Sequence, residues 1–386
     1  MTISSKEIIL EYKQHEESFR GFQGFNVEKR LKYTSSFYGK IIHKIKVYLF
    51  LLFSPKSGSK LPKNIFQGFR YKGLIELFEK DDYSIIIGIS NIFQALKNKQ
   101  RFIWSGGGIV GAFELAFHLG NYKYLDKVIN RLDLWNDGNN KVFLFLYEDT
   151  QPLGLVLSKV FNKSKNIVTI CIAHGYFTKT TRSNLLDNYW EGNNCNFNFV
   201  WDLDQSQFFD IKKTSVISLG MPYQYSLVNK VVKENVLLIG HSSPETHLSE
   251  FILSYAHFGY IYKILKENNF SVKFKPHPDD KTSYAKFFFG DDIATDLFGE
   301  INKGPIIMGF VSSVLYEART LGSHTIGLDM NLFNLERSYV TDKSFKSSEY
   351  SNIPEYLNSL KIDNNKRIQP ESLRKRFYNA MANIEK

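Results

Sequence analysis

Two acidic residues, Glu148 and Asp149, come directly after residues 141–147, an apolar segment with the composition of a buried strand. A carboxylate at the end of such a strand can accept the proton of a substrate hydroxyl group and so act as a general base. Acidic side chains are also favoured at helix N-termini, where they cap free backbone N–H groups. The residues alone therefore leave two interpretations open, a general base and a helix cap.

A histidine between two prolines follows residues 271–275, a predicted strand that ends at Lys275. Pro276 and Pro278 each fix their own φ and favour an extended residue before them, so the backbone around His277 is predicted to be rigid. A histidine held in this way can donate a hydrogen bond to a phosphate oxygen and protonate a departing phosphate, and Lys275 favours the anion. The alternative is a histidine in a surface turn.

Two serines, Ser312 and Ser313, follow residues 306–308 and come just before an apolar helical pattern that includes Glu317. Hydroxyl groups at this position cap the helix, whose free N–H groups and dipole attract anions. We assign the two serines and Glu317 to a candidate donor site. Capping alone explains the serines equally simply.

A His-Gly pair, His174 and Gly175, follows the apolar residues 167–172, with Arg182 a few residues later. Glycine lets the chain turn sharply and exposes the imidazole, and arginine can bind a carboxylate through two parallel hydrogen bonds. We assign these three residues to binding of the acceptor or the sugar. A buried, hydrogen-bonded histidine is the alternative.

His241 and Ser242 begin a polar loop after residues 236–239, and we add them to the candidate donor site. A helix cap explains this loop nearly as well. The triplet at residues 106–108, three consecutive glycines, superficially resembles a phosphate-binding turn. It lacks the glycine spacing of dinucleotide-binding and P-loop motifs and is a weak signal.

The elements that must position these loops alternate between short apolar segments and helical patterns, which is typical of parallel α/β sheets. In such sheets ligands bind beyond the carboxyl ends of the strands, where the polar residues described above are found. Strands are predicted at residues 83–88, 101–104, 141–147, 167–172 and 197–201, and then at 236–239, 271–275, 306–308 and 325–328.

A chain of 386 residues exceeds what one hydrophobic core usually serves, which predicts two α/β domains. The polar stretch between residues 220 and 235 is the predicted linker. We place an N-terminal Rossmann-like domain at residues 1–225 and a second Rossmann-like domain at 226–345. Residues 346–386 are predicted to form helices that pack back toward the first domain.

The formal net charge of +10 indicates a polyanionic partner, and part of that charge is concentrated near the N-terminus. The basic cluster runs directly into the apolar residues 47–53. A segment of this kind can rest on an anionic membrane surface, or it can be a core helix with a solvated basic face, and the sequence leaves both open. The cluster comprises Lys29, Arg30, Lys32, Lys40, His43, Lys44 and Lys46.

Several classes of function are not expected. Cys171 and Cys195 form no metal or redox motif, and no His/Cys cluster accompanies them, so no metal site is predicted. No RRM, KH or helix-turn-helix signature occurs, so no nucleic acid is expected as a partner. The polar N-terminal residues and the lack of an apolar run of about 18 residues predict a cytoplasmic protein, peripheral on the inner face of the membrane if the basic segment binds there.

Three motifs follow one another in the sequence: the acidic pair, the KPHP turn at residues 275–278, and the Ser-Ser pair. Their order resembles that of the bacterial sialyltransferases with two Rossmann-like domains. These families include capsule polysialyltransferases and lipooligosaccharide sialyltransferases. Those families carry an acidic-acidic-Gly motif, an HP motif and a paired Ser/Thr motif in the same order. The resemblance rests on motifs between about residues 140 and 330 and does not extend over the whole chain. One departure is Thr150, which stands where the family has glycine.

The resemblance implies an α/β fold of two Rossmann-like domains facing each other across a cleft, the GT-B arrangement. It implies Glu148 or Asp149 as the general base, His277 on the CMP phosphate, and Ser312 and Ser313 as phosphate ligands. The implied reaction is an inverting, metal-independent transfer of sialic acid or a related nonulosonic acid from a CMP-activated donor to a glycan or glycolipid acceptor. No cofactor is implied.

Other assignments remain open. The His-Gly and KPHP loops also resemble the teichoic acid glycerol- and ribitol-phosphate transferases, whose donors are CDP-alditols. In that case His174 is the base and Glu148 is not. Transferases of Kdo share the same general plan, and a non-catalytic glycan-binding protein is a third hypothesis.

Overall fold

The computed structural model describes most of the chain. It covers residues 3–56, 59–68, 72–87, 96–97, 101–104, 106–137, 140–147, 151–173, 194–209, 211–223, 227–228, 230–240, 248–278, 280, 283–310, 313–329, 341–362 and 371–385. For residues 15–28, 104, 137, 208, 248–250, 313 and 385 it describes the backbone only.

The described part of the chain combines helices with strands of parallel sheets, as the sequence pattern predicts. The helices are α1 (Ser5–Ser35), α2 (Phe37–Phe53), α3 (Lys72–Ile75), α4 (Gly106–Leu119), α5 (Lys123–Asp133), α6 (Pro152–Phe161), α7 (Leu248–Glu267), α8 (Tyr284–Phe289), α9 (Leu297–Ile301), α10 (Ser313–Thr320), α11 (Ile353–Ser359) and α12 (Leu373–Glu385). The strands are β1 (Asn64–Gln67), β2 (Tyr83–Ile87), β3 (Phe102–Trp104), β4 (Val142–Leu146), β5 (Ile167–Ile172), β6 (Phe197–Val200), β7 (Ser215–Ser218), β8 (Asn235–Ile239), β9 (Ser271–Lys275), β10 (Ile306–Gly309), β11 (Thr325–Asp329) and β12 (Lys343–Lys346). All nine predicted strands are confirmed to within one residue at each end; β1, β7 and β12 were not predicted.

The chain divides into two compact units. The described residues of unit 1 are 3–173, with its gaps, 194–223 and 371–385. Those of unit 2 lie between 227 and 362. Within the segment 346–386, residues 346–362 belong to unit 2 and residues 371–385 to unit 1.

Unit 1 is a three-layer α/β/α structure. In its described part the strands form a parallel sheet in the order β3-β2-β1-β4-β5-β6-β7. Every residue of β1, β2 and β4 is buried, as expected for central strands covered on both faces. Helices α1, α2, α4, α5 and α6 pack on one face, and α3 and α12 on the other.

Unit 2 repeats this plan on a smaller scale. Its described strands form a parallel sheet in the order β12-β11-β10-β8-β9. Its core combines residues of these strands with residues of α7, α8 and α11. The α/β fold class and the two Rossmann-like domains predicted from the sequence are thereby confirmed.

Helix α12 completes unit 1 after the chain has passed through unit 2. Leu373, Phe377 and Ala380 are buried in the same core as Phe66 and Phe145 of the sheet. Arg376 binds α12 to the segment of unit 1 that follows β7. Its guanidinium donates to the backbone carbonyls of Leu219 (2.9 Å), Met221 (2.7 Å) and Tyr223 (3.1 Å).

A buried polar network ties α1 to α4. Arg30 donates through Nε to Glu114 at 3.1 Å, and His118 lies 3.0 Å from the other carboxylate oxygen. Burial raises the pKa of Glu114, but the hydrogen bond from His118 and the charge of Arg30 outweigh it, so the net pKa is lowered. Glu114 is therefore held as a carboxylate, which compensates the partly buried guanidinium of Arg30.

The glycine triplet serves helix packing in the structure. Gly106–Gly108 form the first turn of α4, and α2 lies against it. A Cβ on Gly108 would lie 2.8 Å from the carbonyl oxygen of Lys46 and closer still to the Cβ of Phe50. Gly111 lies one turn later, and a Cβ on this residue would lie 3.1 Å from the carbonyl oxygen of His43. The triplet thus allows close contact between α2 and α4, a role that its resemblance to a phosphate turn does not reveal.

Gly108→Ala is expected to lower the free energy of unfolding by about 1–3 kcal/mol, because the added methyl group overpacks the contact with α2. Gly107→Ala is the matched control. Its Cβ would meet nothing nearer than the Lys46 side chain at 4.0 Å, and alanine is the better helix former by up to about 1 kcal/mol. Denaturant unfolding of the full chain measures both. Equal stabilities for the two variants would contradict the packing role.

No helix in the described part of the chain is both long enough and apolar enough to span a bilayer.

Candidate active site

Three polar loops of unit 2 begin side by side. In the sheet register Lys275 of β9 lies beside Ile239 of β8, and Ile239 lies beside Gly309 of β10. The strands are parallel, so the segments that follow all leave the same edge of the sheet. These segments contain His277 after β9, the start of α10 after β10, and residues 241–247 after β8, which lie outside the described residues.

The KPHP turn is held by backbone hydrogen bonds on both sides. The N–H of Gly240 donates to the carbonyl of Lys275 at 2.8 Å, which joins the turn to the neighbouring strand end. The N–H of Asp280 donates to the carbonyl of His277 at 2.9 Å and closes the turn after Pro278. Lys275 and His277 are half-buried and Pro278 is exposed, so the histidine is fixed at the surface of the sheet edge.

Tyr255 holds the end of this turn at Asp280. It is a buried residue of α7, and its hydroxyl group donates to the carboxylate of Asp280. Burial and then the hydrogen bond to Asp280 raise the pKa of Tyr255 well above its usual value, so the hydroxyl keeps its proton and remains a donor. Neither residue was among the predicted site residues, since their contact joins positions 25 residues apart.

Gly240 permits the close approach of two strand-end loops. A Cβ on this residue would lie 2.9 Å from the backbone nitrogen of His277 and 3.2 Å from the carbonyl oxygen of Lys275. Backbone atoms cannot rotate away as a side chain can. Any larger residue must therefore displace the turn that carries His277.

Gly240→Ala is expected to lower turnover about 10- to 100-fold, because displacement of a reacting group by an ångström can cost that much. Gly309→Ala is the matched control on the adjacent strand. Its Cβ would meet its nearest neighbour, the carbonyl oxygen of Ile239, at 3.4 Å, an ordinary contact. Steady-state kinetics of both variants, each checked for folding, tests the prediction. Equal activities would show that the Gly240 contact is unimportant.

The start of α10 adds a second feature to the same edge. The backbone at Ser313 begins the helix soon after β10 ends, and free N–H groups of a first helical turn attract anions. Glu317 lies one turn further along and is buried, with 9% of its surface exposed. The structure therefore brings His277 and the first turn of α10 to one edge, whereas Glu317 lies within the unit.

In the sequence of unit 1, the candidate bases follow two adjacent strands of the sheet. Leu146 of β4 lies beside Cys171 of β5, so the chain continues from these adjacent strands toward Glu148 and His174 respectively. Before the acidic pair, the N–H of Tyr147 donates to the side-chain oxygen of buried Gln67 at 3.3 Å. The acidic pair and His174 follow neighbouring strands, and the sheet does not discriminate between an acid and the histidine as the base.

Several predicted site residues lie outside the described residues, and their assignment stays a prediction. They are Glu148, Asp149, His174, Gly175, Arg182, His241, Ser242 and Ser312. Ser313 is described by its backbone only.

In the described part of the chain, no group of three or more His, Cys, Asp or Glu side chains is arranged to hold a metal ion. A cavity of about 970 Å³ occurs in unit 1, lined by residues that include Lys63, Arg101 and Lys141. These residues lie at the amino ends of β1, β3 and β4, the edge opposite to the predicted loops. We therefore do not assign this cavity to the candidate site.

The sequence matches no protein-family model, and no curated protein matches it. Among solved structures, UDP-GlcNAc 2-epimerase from Neisseria meningitidis bound to UDP-GlcNAc is similar at 13% identity and a TM-score of 0.46, covering 83% of this chain and 99% of that chain. The calicheamicin glycosyltransferase CalG4 is similar at 10% identity and a TM-score of 0.43, covering 85% and 95%. The wall teichoic acid polymerase TagF is similar at 10% identity and a TM-score of 0.43, covering 96% and 93%. At these TM-scores the similarities carry no argument about function.

Proposed function

We propose that the protein is an inverting glycosyltransferase that transfers sialic acid or a related nonulosonic acid from a CMP-activated donor to a bacterial surface glycan of a capsule, lipooligosaccharide or O-antigen. The observation that carries the proposal is the KPHP turn of unit 2. It is fastened by Gly240 and Asp280 beside the start of α10 at the carboxyl edge of a parallel sheet. This edge is where nucleotides bind in such folds.

The donor side of the reaction needs groups that stabilise a departing phosphate. As the bond between the anomeric carbon and the phosphate oxygen breaks, negative charge grows on CMP. His277 donates a hydrogen bond or a proton to this phosphate, and Lys275 and the first N–H groups of α10 offset the remaining charge. The half-buried position of His277 and Lys275 strengthens these interactions relative to bulk water.

The acceptor side needs a base. An acceptor hydroxyl oxygen attacks the anomeric carbon from the face opposite to CMP, and its proton passes to the carboxylate of Glu148 or Asp149. One carbon–oxygen bond forms as the other breaks, so the configuration inverts. We assign His174, Gly175 and Arg182 to the acceptor or the sugar carboxylate, and His241, Ser242, Ser312 and Ser313 to the donor.

A donor screen tests the proposal. The full chain is incubated with CMP-sialic acid, CMP-Kdo, CDP-glycerol, CDP-ribitol and UDP-sugars, and the released nucleotide is measured. We expect CMP release from an acidic CMP-sugar, stimulated by a glycan acceptor and unaffected by a metal chelator. Turnover of UDP-sugars alone would contradict the proposal. If CMP does not bind even at millimolar concentration in a calorimetric titration, a non-catalytic glycan-binding protein becomes the better hypothesis.

The second candidate is an alditol-phosphate transferase with a CDP-alditol donor and His174 as the base. The adjacency of β4 and β5 is compatible with it, because the chain continues toward His174 from the same sheet edge as toward Glu148. Here the acceptor oxygen attacks phosphorus and CMP again departs, so the same KPHP turn serves both reactions. Preferential turnover of CDP-glycerol or CDP-ribitol would establish this candidate.

A further inference from the structure

Helix α2 exposes a continuous apolar face. The exposed fractions of Phe37, Tyr38, Leu52 and Phe53 are 73%, 76%, 64% and 63%. Large apolar side chains at this level of exposure are unusual when they are contiguous, because exposing apolar surface to water is unfavourable. The complete face consists of Phe37, Tyr38, Ile41, Ile42, Ile45, Tyr48, Leu52 and Phe53.

The opposite face of α2 is fixed to unit 1. Gly39, His43, Val47 and Phe50 are buried and recur every three or four residues, which is the period of one helical face. They pack against α4 through the close glycine contacts at Gly108 and Gly111. The helix is therefore held along its length, and its exposed side is presented as a preformed surface about 25 Å long.

Lysines lie at both borders of this face. At about 100° per residue, the apolar face of α2 spans an arc of roughly 160°, with Lys40 and Lys44 on one side and Lys46 on the other. Helix α5 extends one border, where Lys127 lies over the ring of Tyr48 at 5.9 Å and Lys44 lies 6.0 Å from the ring of Tyr124.

The sequence around α2 is uniformly basic. Between Glu28 and Glu76 it contains eleven Lys and Arg residues and no Asp or Glu. An apolar, aromatic face with basic borders matches the two parts of a bilayer interface, the acyl boundary and the anionic headgroups. Tyrosines such as Tyr38 and Tyr48 suit this depth because the ring is apolar and the hydroxyl group is polar.

We propose that the exposed face of α2 binds an anionic membrane surface. The helix lies in the plane of the interface, its apolar side chains reach the acyl boundary, and its lysines contact lipid phosphates. This inference does not depend on the proposed catalytic function and holds whichever donor is used.

Charge argues against a second copy of the chain as the occupant. A symmetric dimer through α2 would bring together two apolar faces that are each bordered by Lys40, Lys44 and Lys46, so the lysines of both protomers would be concentrated around one interface. Like charges brought together across an interface are unfavourable, and the surrounding sequence offers no acidic residue to compensate them. Anionic headgroups supply the missing negative charge.

Vesicle co-sedimentation tests the proposal. The full chain is mixed with vesicles of phosphatidylcholine alone or of phosphatidylcholine with phosphatidylglycerol. We expect at least about tenfold tighter binding to the anionic vesicles, since each lysine near an anionic surface contributes about fivefold, and weaker binding at high salt. Replacing Ile45 and Leu52 together by serine is expected to reduce binding about tenfold or more, through loss of the apolar contact.

Two matched controls use exposed residues of unit 2. Phe287→Ser removes an apolar side chain that is 80% exposed, and Lys263→Glu reverses a charge whose side chain is 74% exposed. We expect both to bind vesicles like the wild type, whereas Lys40→Glu with Lys44→Glu weakens binding. Circular dichroism and thermal unfolding test whether each variant is folded. We expect all of them to fold, because the substituted side chains are exposed or lie at the edge of the exposed face.

Three outcomes would overturn the proposal. They are equal binding to neutral and anionic vesicles, unchanged binding after the Ile45 and Leu52 substitutions, and a stable dimer that these substitutions dissociate in the absence of lipid. The last result would identify α2 as a contact between copies. A failed donor screen would leave the vesicle result unaffected, so the two proposals fail separately.

Discussion

Replacing His277 with alanine is expected to slow nucleotide release by about 10²- to 10³-fold, the usual cost of removing one preorganised donor to a developing anion. The effect should be on kcat, because the hydrogen bond strengthens as charge grows on the departing phosphate. The turn itself should survive the substitution. Its hydrogen bonds use the backbones of Lys275 and His277, together with Tyr255 and Asp280.

The role of the imidazole can be resolved further with His277→Asn. Asparagine keeps a hydrogen-bond donor but cannot transfer a proton at neutral pH. If His277 is a proton donor, the asparagine variant should be as slow as the alanine variant. If the histidine only stabilises charge, asparagine should recover part of the rate.

His324→Ala is the control for the histidine series. This residue belongs to the same unit but lies just before β11, at the amino edge of the sheet. Its ring contacts Tyr356 at 3.0 Å and Asp342 at 3.5 Å, so some loss of stability is expected. Activity per folded molecule should remain close to wild type. Comparable losses for His277→Ala and His324→Ala would reject a specific role for the KPHP turn.

Glu148→Gln is expected to lower transfer to the acceptor by about 10²- to 10⁴-fold, the range attributed to general-base catalysis. The amide keeps the size of the side chain but cannot accept the acceptor proton. Binding of CMP, measured by calorimetry, should be unchanged because the base acts on the other substrate. Separating these two measurements distinguishes a lost base from a lost fold.

Asp149→Asn and His174→Ala complete the comparison. Under the sialyltransferase proposal one acid carries the large effect and His174→Ala has a smaller one, visible mainly in the KM for acceptor. Under the alditol-phosphate alternative His174→Ala carries the large effect and both acidic variants remain active. A large effect at His174 alone, with a CDP-alditol donor preferred, would exclude the sialyltransferase assignment.

Most of the strands that the sequence predicted have apolar, buried cores, and β9 alternates between buried apolar residues and more exposed polar ones. Strand β1 was not predicted although it lies in the interior of its sheet, because its two terminal residues are polar. Asn64 and Gln67 are buried, and their side chains bond to the carbonyl of Asp82 at 3.2 Å and the N–H of Tyr147 at 3.3 Å. A polar residue that is satisfied by tertiary contacts looks like a loop residue in the sequence.

Strands β7 and β12 were missed for a different reason. Both lie at sheet edges and have the sequences SVIS and KSFK, with exposed Ser and Lys side chains. Edge strands commonly carry such residues, which discourage pairing with other chains, and the price is a weak apolar pattern. Local patterns therefore predicted the interior of each sheet better than its boundaries.

The candidate site shows the same division. The prolines around His277 predicted a fixed turn, and the structure describes how the turn is held. Gly240 and Tyr255, which hold this turn, lie far from His277 in the sequence. Neither residue has a local sequence pattern that indicates this role. For α2, the sequence left a core helix and a membrane-facing helix open. The structure shows a helix with a buried face and an exposed apolar one, a combination that neither interpretation alone describes.

The late position of α12 in the chain affects how the protein is made. On a ribosome the strands of unit 1 emerge first, but Leu373, Phe377 and Ala380, which cover one side of their sheet, emerge after all of unit 2. Until then Phe66, Phe145 and their neighbours have no cover from this helix. Synthesis therefore includes an interval during which this aromatic surface lacks the cover of α12, and the interval ends when α12 docks and Arg376 binds the carbonyls after β7.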